Sequence, residues 1–337
     1  MPAIKTAAEP LSASLYGNAD ANYAYAEKVY ENSPLNRVLR QFTPGADFRQ
    51  TTANSGTSDH YTSISYDFND SNEVLNLLCS NDGNLMVSGY MAEATLYKTT
   101  TTSPDGRVST EFKDSEGTIF LQRSGSGNSI QETYYAYDSR RRLRWVIQPE
   151  GSARIKALAA NSSSANPYTI TQADSTAQNF CFLYGYDGRN RMIQKKIPGK
   201  GREEMVYDLA GRLVAVQDSI LRSQNRWMLT RYDSLGRVTQ TFLFTGSQNL
   251  ATRQQMQAAF DQSPYPAGIY GSQGNILLTR AEYGSTAPSS LAFAQVTGVV
   301  TTADKDSRTK GILTYDKTLD LTTAGQSTKK YRERAYY

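Results

Sequence analysis

The feature that most constrains this chain is a short pattern that recurs along it. It reads Tyr207-Asp208-Leu209-Ala210-Gly211-Arg212-Leu213 and returns as Tyr232-Asp233-Ser234-Leu235-Gly236-Arg237-Val238. Two further copies are Tyr186-Asp187-Gly188-Arg189-Asn190-Arg191-Met192 and Tyr137-Asp138-Ser139-Arg140-Arg141-Arg142-Leu143. A repeat this short cannot bury its own apolar faces. It must stack against neighbours of the same kind.

The spacing defines the local structure. Three residues between an Asp and an Arg predict a three-residue hairpin loop, a type I turn followed by one left-handed residue that forms a bulge. Asp suits the first turn position because its carboxylate accepts nearby backbone N–H groups. The left-handed position favours Gly and then Asn, and Gly211, Gly236 and Asn190 fall there. Arg141 does not suit it, so a different loop is expected in that copy. Degenerate copies lie upstream at Ser80-Asn81-Asp82-Gly83-Asn84, Ser103-Pro104-Asp105-Gly106-Arg107 and Asp114-Ser115-Glu116-Gly117-Thr118, the last with Phe112 in place of the Tyr. Tyr315-Asp316 opens like a repeat but lacks the glycine.

The flanks read as strands. Phe182, Tyr184 and Tyr186 share one face by alternation, as do Val238, Gln240, Phe242 and Phe244. Leu213-Val214-Ala215-Val216 reads as a strand covered on both sides, and Pro198 ends another. The chain holds 23 Tyr against 11 Phe and 2 Trp, which suits sheets with one wet face, since Tyr has an apolar ring and a polar tip. Spacings of 49, 21 and 25 residues separate Tyr137, Tyr186, Tyr207 and Tyr232. The long gap holds an Ala/Ser/Asn/Thr-rich stretch at 157–179, read as an exposed loop. A second insertion at 246–275 predicts a short helix over Gln248–Asp261 with Ser247 as its N-cap and Leu250, Met256, Ala259 and Phe260 on its apolar face.

Several function classes find little support. The net charge of +4 comes from 36 basic and 32 acidic residues spread along the chain, without the basic stripe and interleaved aromatics of a nucleic-acid binder. No apolar run approaches a membrane span, and the N-terminus lacks a signal-peptide core. Cys79 and Cys181 make no disulfide framework and read as thiols. His60, the only histidine, would have to serve any histidine-dependent triad or metal site, yet it sits in a polar stretch leading into a strand. Asp67-Phe68-Asn69-Asp70-Ser71-Asn72-Glu73 spaces oxygen ligands at alternate positions but lacks the glycine of a calcium loop. No cofactor is expected. Asp138, Asp187, Asp208 and Asp233 recur at every repeat, which points to turn capping rather than catalysis. Arg142, Arg191, Arg212 and Arg237 follow at one offset, which points to ion-pair or Tyr–Arg ladders between stacked hairpins.

The Tyr-Asp-x-x-Gly-Arg pattern resembles the YD repeat of Rhs proteins, found also in teneurins and in the C components of insecticidal toxin complexes. Tyr30-Glu31-Asn32-Ser33-Pro34-Leu35-Asn36-Arg37-Val38, with Pro44-Gly45-Ala46-Asp47, resembles the domain upstream of the repeats in large bacterial surface Rhs proteins. The resemblance implies a mainly β architecture: tandem hairpins stacked into a curved or spiralling sheet, part of an Rhs shell, with one short helical insertion. The expected divisions are an N-terminal segment at 1–90, a repeat array at 91–245, the insertion at 246–275 and further repeat-like strands at 276–337. The implied function is a non-catalytic wall that encapsulates or presents a C-terminal effector. The alternatives are an adhesin that binds cell-surface glycans through Tyr and Arg rows, and a glycoside-acting enzyme. Implied partners are the rest of the same polypeptide and its C-terminal cargo, at the exterior or surface of a bacterium. The family's self-cleaving core carries an Asp-Pro pair, which this sequence lacks, and Tyr331–Tyr337 resembles a strand leading into another turn. A longer array is therefore expected to follow.

Overall fold

The computed structural model describes residues 25–45, 48, 60–125, 129–159, 162–163, 165–246, 250–266, 268–270 and 275–283, and the backbone of strands at 313–319 and 331–335. The described chain is mainly antiparallel β and falls into two compact units, residues 1–184 and 185–337.

The first unit opens with β1 (Glu27–Tyr30), β2 (Val38–Phe42) and β3 (Thr62–Phe68). Next come β4 (Leu75–Cys79), β5 (Leu85–Tyr90), β6 (Tyr97–Thr102), β7 (Val108–Lys113), β8 (Ile119–Ser124), β9 (Gln131–Tyr137) and β10 (Leu143–Ile147). Helix α1 (Pro149–Ala159), β11 (Tyr168–Ile170), helix α2 (Ser175–Phe180) and β12 (Cys181–Tyr186) complete it, β12 running through the boundary. Pairing follows chain order except at two excursions. Strand β3 pairs with β6, so the β4–β5 hairpin leaves the meander. Strand β10 pairs with β12, so α1, β11 and α2 leave it too.

The two excursions meet each other. Strand β11 pairs with β5, from Tyr168 opposite Val87 to Ile170 opposite Leu85. The resulting three-stranded patch covers one face of the meander. Leu75, Leu77, Leu85, Val87 and Ile170 from the patch share a core with Phe112, Leu121, Tyr134, Trp145 and Ile147 of the meander. Ile155 and Ala177 bring both helices into the same core. The described part of 157–179 is thus not simply an exposed loop. It contains the end of α1, β11 and α2, with Ala159, Ile170, Thr176 and Ala177 buried, although Ala157, Ala165, Thr169, Thr171 and Ala173 are exposed. Asp174 caps α2 by accepting from the Thr176 N–H at 2.8 Å. On β12 the core face is Cys181 and Leu183, not the aromatic alternation. Cys79 is half-buried, Cys181 is buried, and neither forms a disulfide. Burial pushes the Cys79 thiol up to about 12.

The second unit continues with β13 (Met192–Ile197), β14 (Gly201–Tyr207), β15 (Leu213–Gln217), helix α3 (Ser219–Ser223), β16 (Arg226–Tyr232) and β17 (Val238–Thr245). Helix α4 (Arg253–Gln262), β18 (Ile276–Tyr283), β19 (Leu313–Leu319) and β20 (Tyr331–Ala335) follow. Every described pairing from β13 to β20 joins consecutive strands. Helix α4 begins later than the sequence predicts. Its N-cap is Thr252, whose side chain accepts from the Gln255 N–H while Gln255 reaches back to the Thr252 backbone, a capping box that outcompetes an earlier start. Ser247 lies outside the described residues. Met256 and Phe260 are fully buried, in a core with Val206, Val214, Trp227, Leu229, Phe242 and Phe244. The helix therefore returns across strands laid down before it. Tyr315-Asp316 lies within β19, opposite Ala335 and Arg334, and makes no turn there.

Candidate functional site: the repeat turns

Seven described loops share one backbone conformation. They begin at Ser80, Ser103, Asp114, Asp138, Asp187, Asp208 and Asp233. In each, the first residue's N–H donates to the carbonyl four residues on, and the residue at the fourth position donates back to the first carbonyl. The fourth residue is left-handed throughout: Gly83, Gly106, Gly117, Arg141, Asn190, Gly211 and Gly236, with φ between 60° and 83°. Arg141, at φ 60°, thus adopts the common loop instead of a different one. Its guanidinium ties to Asp114 of an earlier turn and to Glu116 at 3.2 Å, contacts that offset the left-handed strain.

Within a full turn the aspartate clasps both the backbone and the arginine. One Asp208 oxygen accepts the Arg212 N–H at 2.8 Å and the other accepts Arg212 Nε at 2.7 Å. Asp187 does the same with Arg191 at 2.9 and 2.7 Å, and Asp233 with Arg237 at 2.9 and 2.7 Å. Asp138 holds Arg142 at 3.0 and 2.8 Å. For Asp138, Asp187 and Asp233, partial burial raises the carboxyl, but the arginine and the backbone N–H donors outweigh it, so all three titrate below the usual carboxylate range. An ionised carboxylate with both oxygens occupied is a poor general acid.

The clasped arginine reaches onward to the next repeat. Arg191 Nη1 donates to the Asp208 carbonyl at 3.3 Å and its guanidinium lies 4.6 Å from the Tyr207 ring centre. Arg212 repeats this with the Asp233 carbonyl at 3.2 Å and the Tyr232 ring at 4.9 Å. The tyrosine answers through its hydroxyl. Tyr207 donates to the Met192 carbonyl at 2.7 Å and Tyr232 to the Leu213 carbonyl at 2.8 Å, the residue after the arginine each time. Tyr137 makes the same bond to Ile119 at 2.9 Å, with Thr118 in the arginine's place. Tyr186 closes β12 immediately before the Asp187 turn. Burial is the main reason that Tyr137, Tyr207 and Tyr232 titrate above their ordinary value.

Two participants escaped sequence reasoning. Tyr283 is not followed by Asp, yet its hydroxyl donates to the Val238 carbonyl at 3.1 Å and Arg237 stacks 4.3 Å from its ring centre. Gln257 of α4 brackets the Tyr207 backbone, accepting its N–H at 3.1 Å and donating to its carbonyl at 2.7 Å. The signal for Tyr283 was a tyrosine at the end of a strand, without any need of the following Asp. The leading Tyr carries the contact to the preceding repeat.

Elsewhere the sequence candidates are structural or peripheral. His60 is exposed just ahead of β3. Asn69 is buried and staples two segments, accepting the Thr95 and Leu96 N–H groups at 3.0 and 2.7 Å and donating to the Ala92 carbonyl at 2.8 Å. Glu73 binds Lys98 at 2.9 Å and Arg123 at 2.6 Å. Among the described residues, no group of three or more His, Cys, Asp or Glu side chains is placed to hold a metal ion. No helix among them is long and apolar enough to cross a membrane.

Residues 3–63 match a family model described as a domain of unknown function, DUF6443. No curated protein matches the chain. Similar solved structures include TcdB2-TccC3 without its hypervariable C-terminal region, at 10% identity and a TM-score of 0.41 over 77% of this chain and 9% of that one. TcdB2-TccC3-TEV is similar at 13% identity and a TM-score of 0.40 over 88% of this chain and 13% of that one. The Photorhabdus luminescens Tc holotoxin pore is similar at 10% identity and a TM-score of 0.36 over 87% of this chain and 14% of that one. The chain thus spans only 9–14% of these three chains. The repeated Tyr-Asp turn, with its arginine clasp and its hydroxyl lock, is the structural counterpart of the pattern by which the sequence resembles the YD repeats of Rhs proteins.

Proposed function

We propose that the chain is a non-catalytic wall segment of a β-shell that encloses or presents a C-terminal effector outside a bacterial cell. The lock carries this reading. The turns at Asp187, Asp208 and Asp233 each grip the strand of the next hairpin through one arginine and one tyrosine, so hairpins of unlike sequence join by one connector. A connector of that kind suits an extended surface, and it consumes the polar groups that a catalytic or sugar-binding strip would need. The repeat tyrosines and arginines are half-buried against each other, which favours a wall over the glycan-binding and glycoside-acting alternatives.

The product of the whole reading frame tests the proposal by electron microscopy and protease digestion. A hollow particle whose enclosed segment survives protease in the wild type, and becomes cleavable when Tyr207, Tyr232 and Tyr283 are changed together to Phe, is the expected result. A solid or beaded particle, or turnover of a glycoside substrate abolished by a single side-chain change, would overturn it.

A further inference from the structure

The hairpin of β1 and β2 lies inside the segment matched to the domain of unknown function, and no turn of the Asp-x-x-Gly-Arg spacing occurs there. Its geometry nevertheless copies the repeat. Tyr30 pairs with Val38 across the hairpin, with a register shift between Val29 and Tyr30. Tyr207 pairs with Leu213 in the same way, with a shift between Val206 and Tyr207. The Glu31 N–H donates to the Arg37 carbonyl at 2.9 Å, as Asp208 does to Arg212 at 3.0 Å. Asn36, just before the arginine, is left-handed at φ 47°, where Gly211 stands at 80°. Glu31 clasps Arg37 through both oxygens at 2.8 Å, and this arginine and Ser33 lower its carboxyl to about 2.

The lock to the next strand is also present. Arg37 lies 4.5 Å from the Tyr66 ring centre, and the Tyr66 hydroxyl donates to the Val38 carbonyl at 3.1 Å. Val38 follows the arginine directly, the same offset as in Tyr207–Met192 and Tyr232–Leu213. The loop is two residues longer than in the repeats, and glutamate adds one methylene to reach across it. Pattern matching fails because the acid and the length change together.

We propose that residues 27–42 are a divergent repeat hairpin, docked on β3 by Arg37 and Tyr66, so that this part of the matched family segment joins the array. Hydrogen exchange on the full chain tests this. Tyr66→Phe deletes one hydroxyl and should speed amide exchange in 27–42 roughly five-fold, the effect of one net hydrogen bond, while leaving 226–245 unchanged. Arg37→Ala should speed it further, and the two changes together should fall short of the sum of their separate effects. The Arg212→Ala and Tyr232→Phe pair should show coupling of the same sign around 208–232. If Arg37→Ala does not fold, Tyr66→Phe decides alone. Unaltered exchange in 27–42, additive effects, or equal loosening of 226–245 would overturn the proposal.

Discussion

The two units use the same turn and reach different topologies. In the second, every described strand pairs with its chain neighbour and one insertion folds back as a helix over β14–β17. In the first, two insertions leave the meander and pair with each other through β5 and β11. Both solutions answer one need. A meander of half-wet strands exposes an apolar face, and only covering that face provides a core. The repeats set hairpins and their succession, while the insertions decide what covers them. The covers differ, helix against three-stranded patch, yet each brings fully buried large side chains: Phe260 and Met256 in one, Leu85 and Ile170 in the other.

The sharpest way to break this comparison is to remove a cover. Phe260→Ala should cost about 3–5 kcal/mol by cavity formation, with hydrogen exchange rising in 201–262 and little changed in 60–184. Uniform loosening of both units would show that the covers are not local. Next in size, Asp208→Ala should cost about 3 kcal/mol. It strips the clasp from an aspartate whose side chain is only 2% exposed and leaves Arg212 half-buried without its counter-charge. Urea unfolding measures it.

Glycines sharpen the contrast further. At Gly236 nothing lies near an added Cβ, so Gly236→Val should cost about 2 kcal/mol from left-handed strain alone. At Gly83 the side chains of Gln172 and Arg144 occupy that space and Trp145 Nε1 donates to its carbonyl at 2.9 Å, so Gly83→Val should be the worse of the two. Thermal melts rank them, and an equal cost would remove packing from the account. Tyr232→Phe is milder, about 1 kcal/mol for one hydrogen bond. His60→Ala, at an exposed position, should change stability by less than about 0.5 kcal/mol.

Acid should loosen both units over one pH window. The carboxyls of Asp114 and Asp138 in the first unit and Asp187 and Asp233 in the second titrate below their ordinary value. The unfolded chain therefore binds protons before the folded one does. The stabilisation is fully present above the usual carboxylate range, near pH 4, and is lost as pH falls through the lower folded values. Denaturation midpoints that stay constant from pH 5 to pH 2 would contradict the clasp.

Much of the turn was legible in the sequence because its chemistry is local. Asp at the first position and Gly or Asn at the fourth answer to the backbone of the same five residues, and Arg at the fifth is clasped by the carboxylate of the first. Arg141 was misread for the opposite reason: its left-handed backbone is held by Asp114, distant in sequence. Tyr283 and the Glu31–Arg37 hairpin were hidden because their partners, Val238 and Tyr66, lie on other strands.

The sequence by itself determined the repeat hairpins with the Asp-x-x-Gly-Arg spacing, their turn type and the antiparallel class, since loop length and φ preference act within a few residues. Tertiary structure alone decided that β11 and α2 form within 157–179, that α4 returns to Tyr207, and that the leading tyrosine joins repeats. Those outcomes depend on which distant apolar face remains uncovered and which carbonyl a hydroxyl can reach. Neither is set until the strands are side by side.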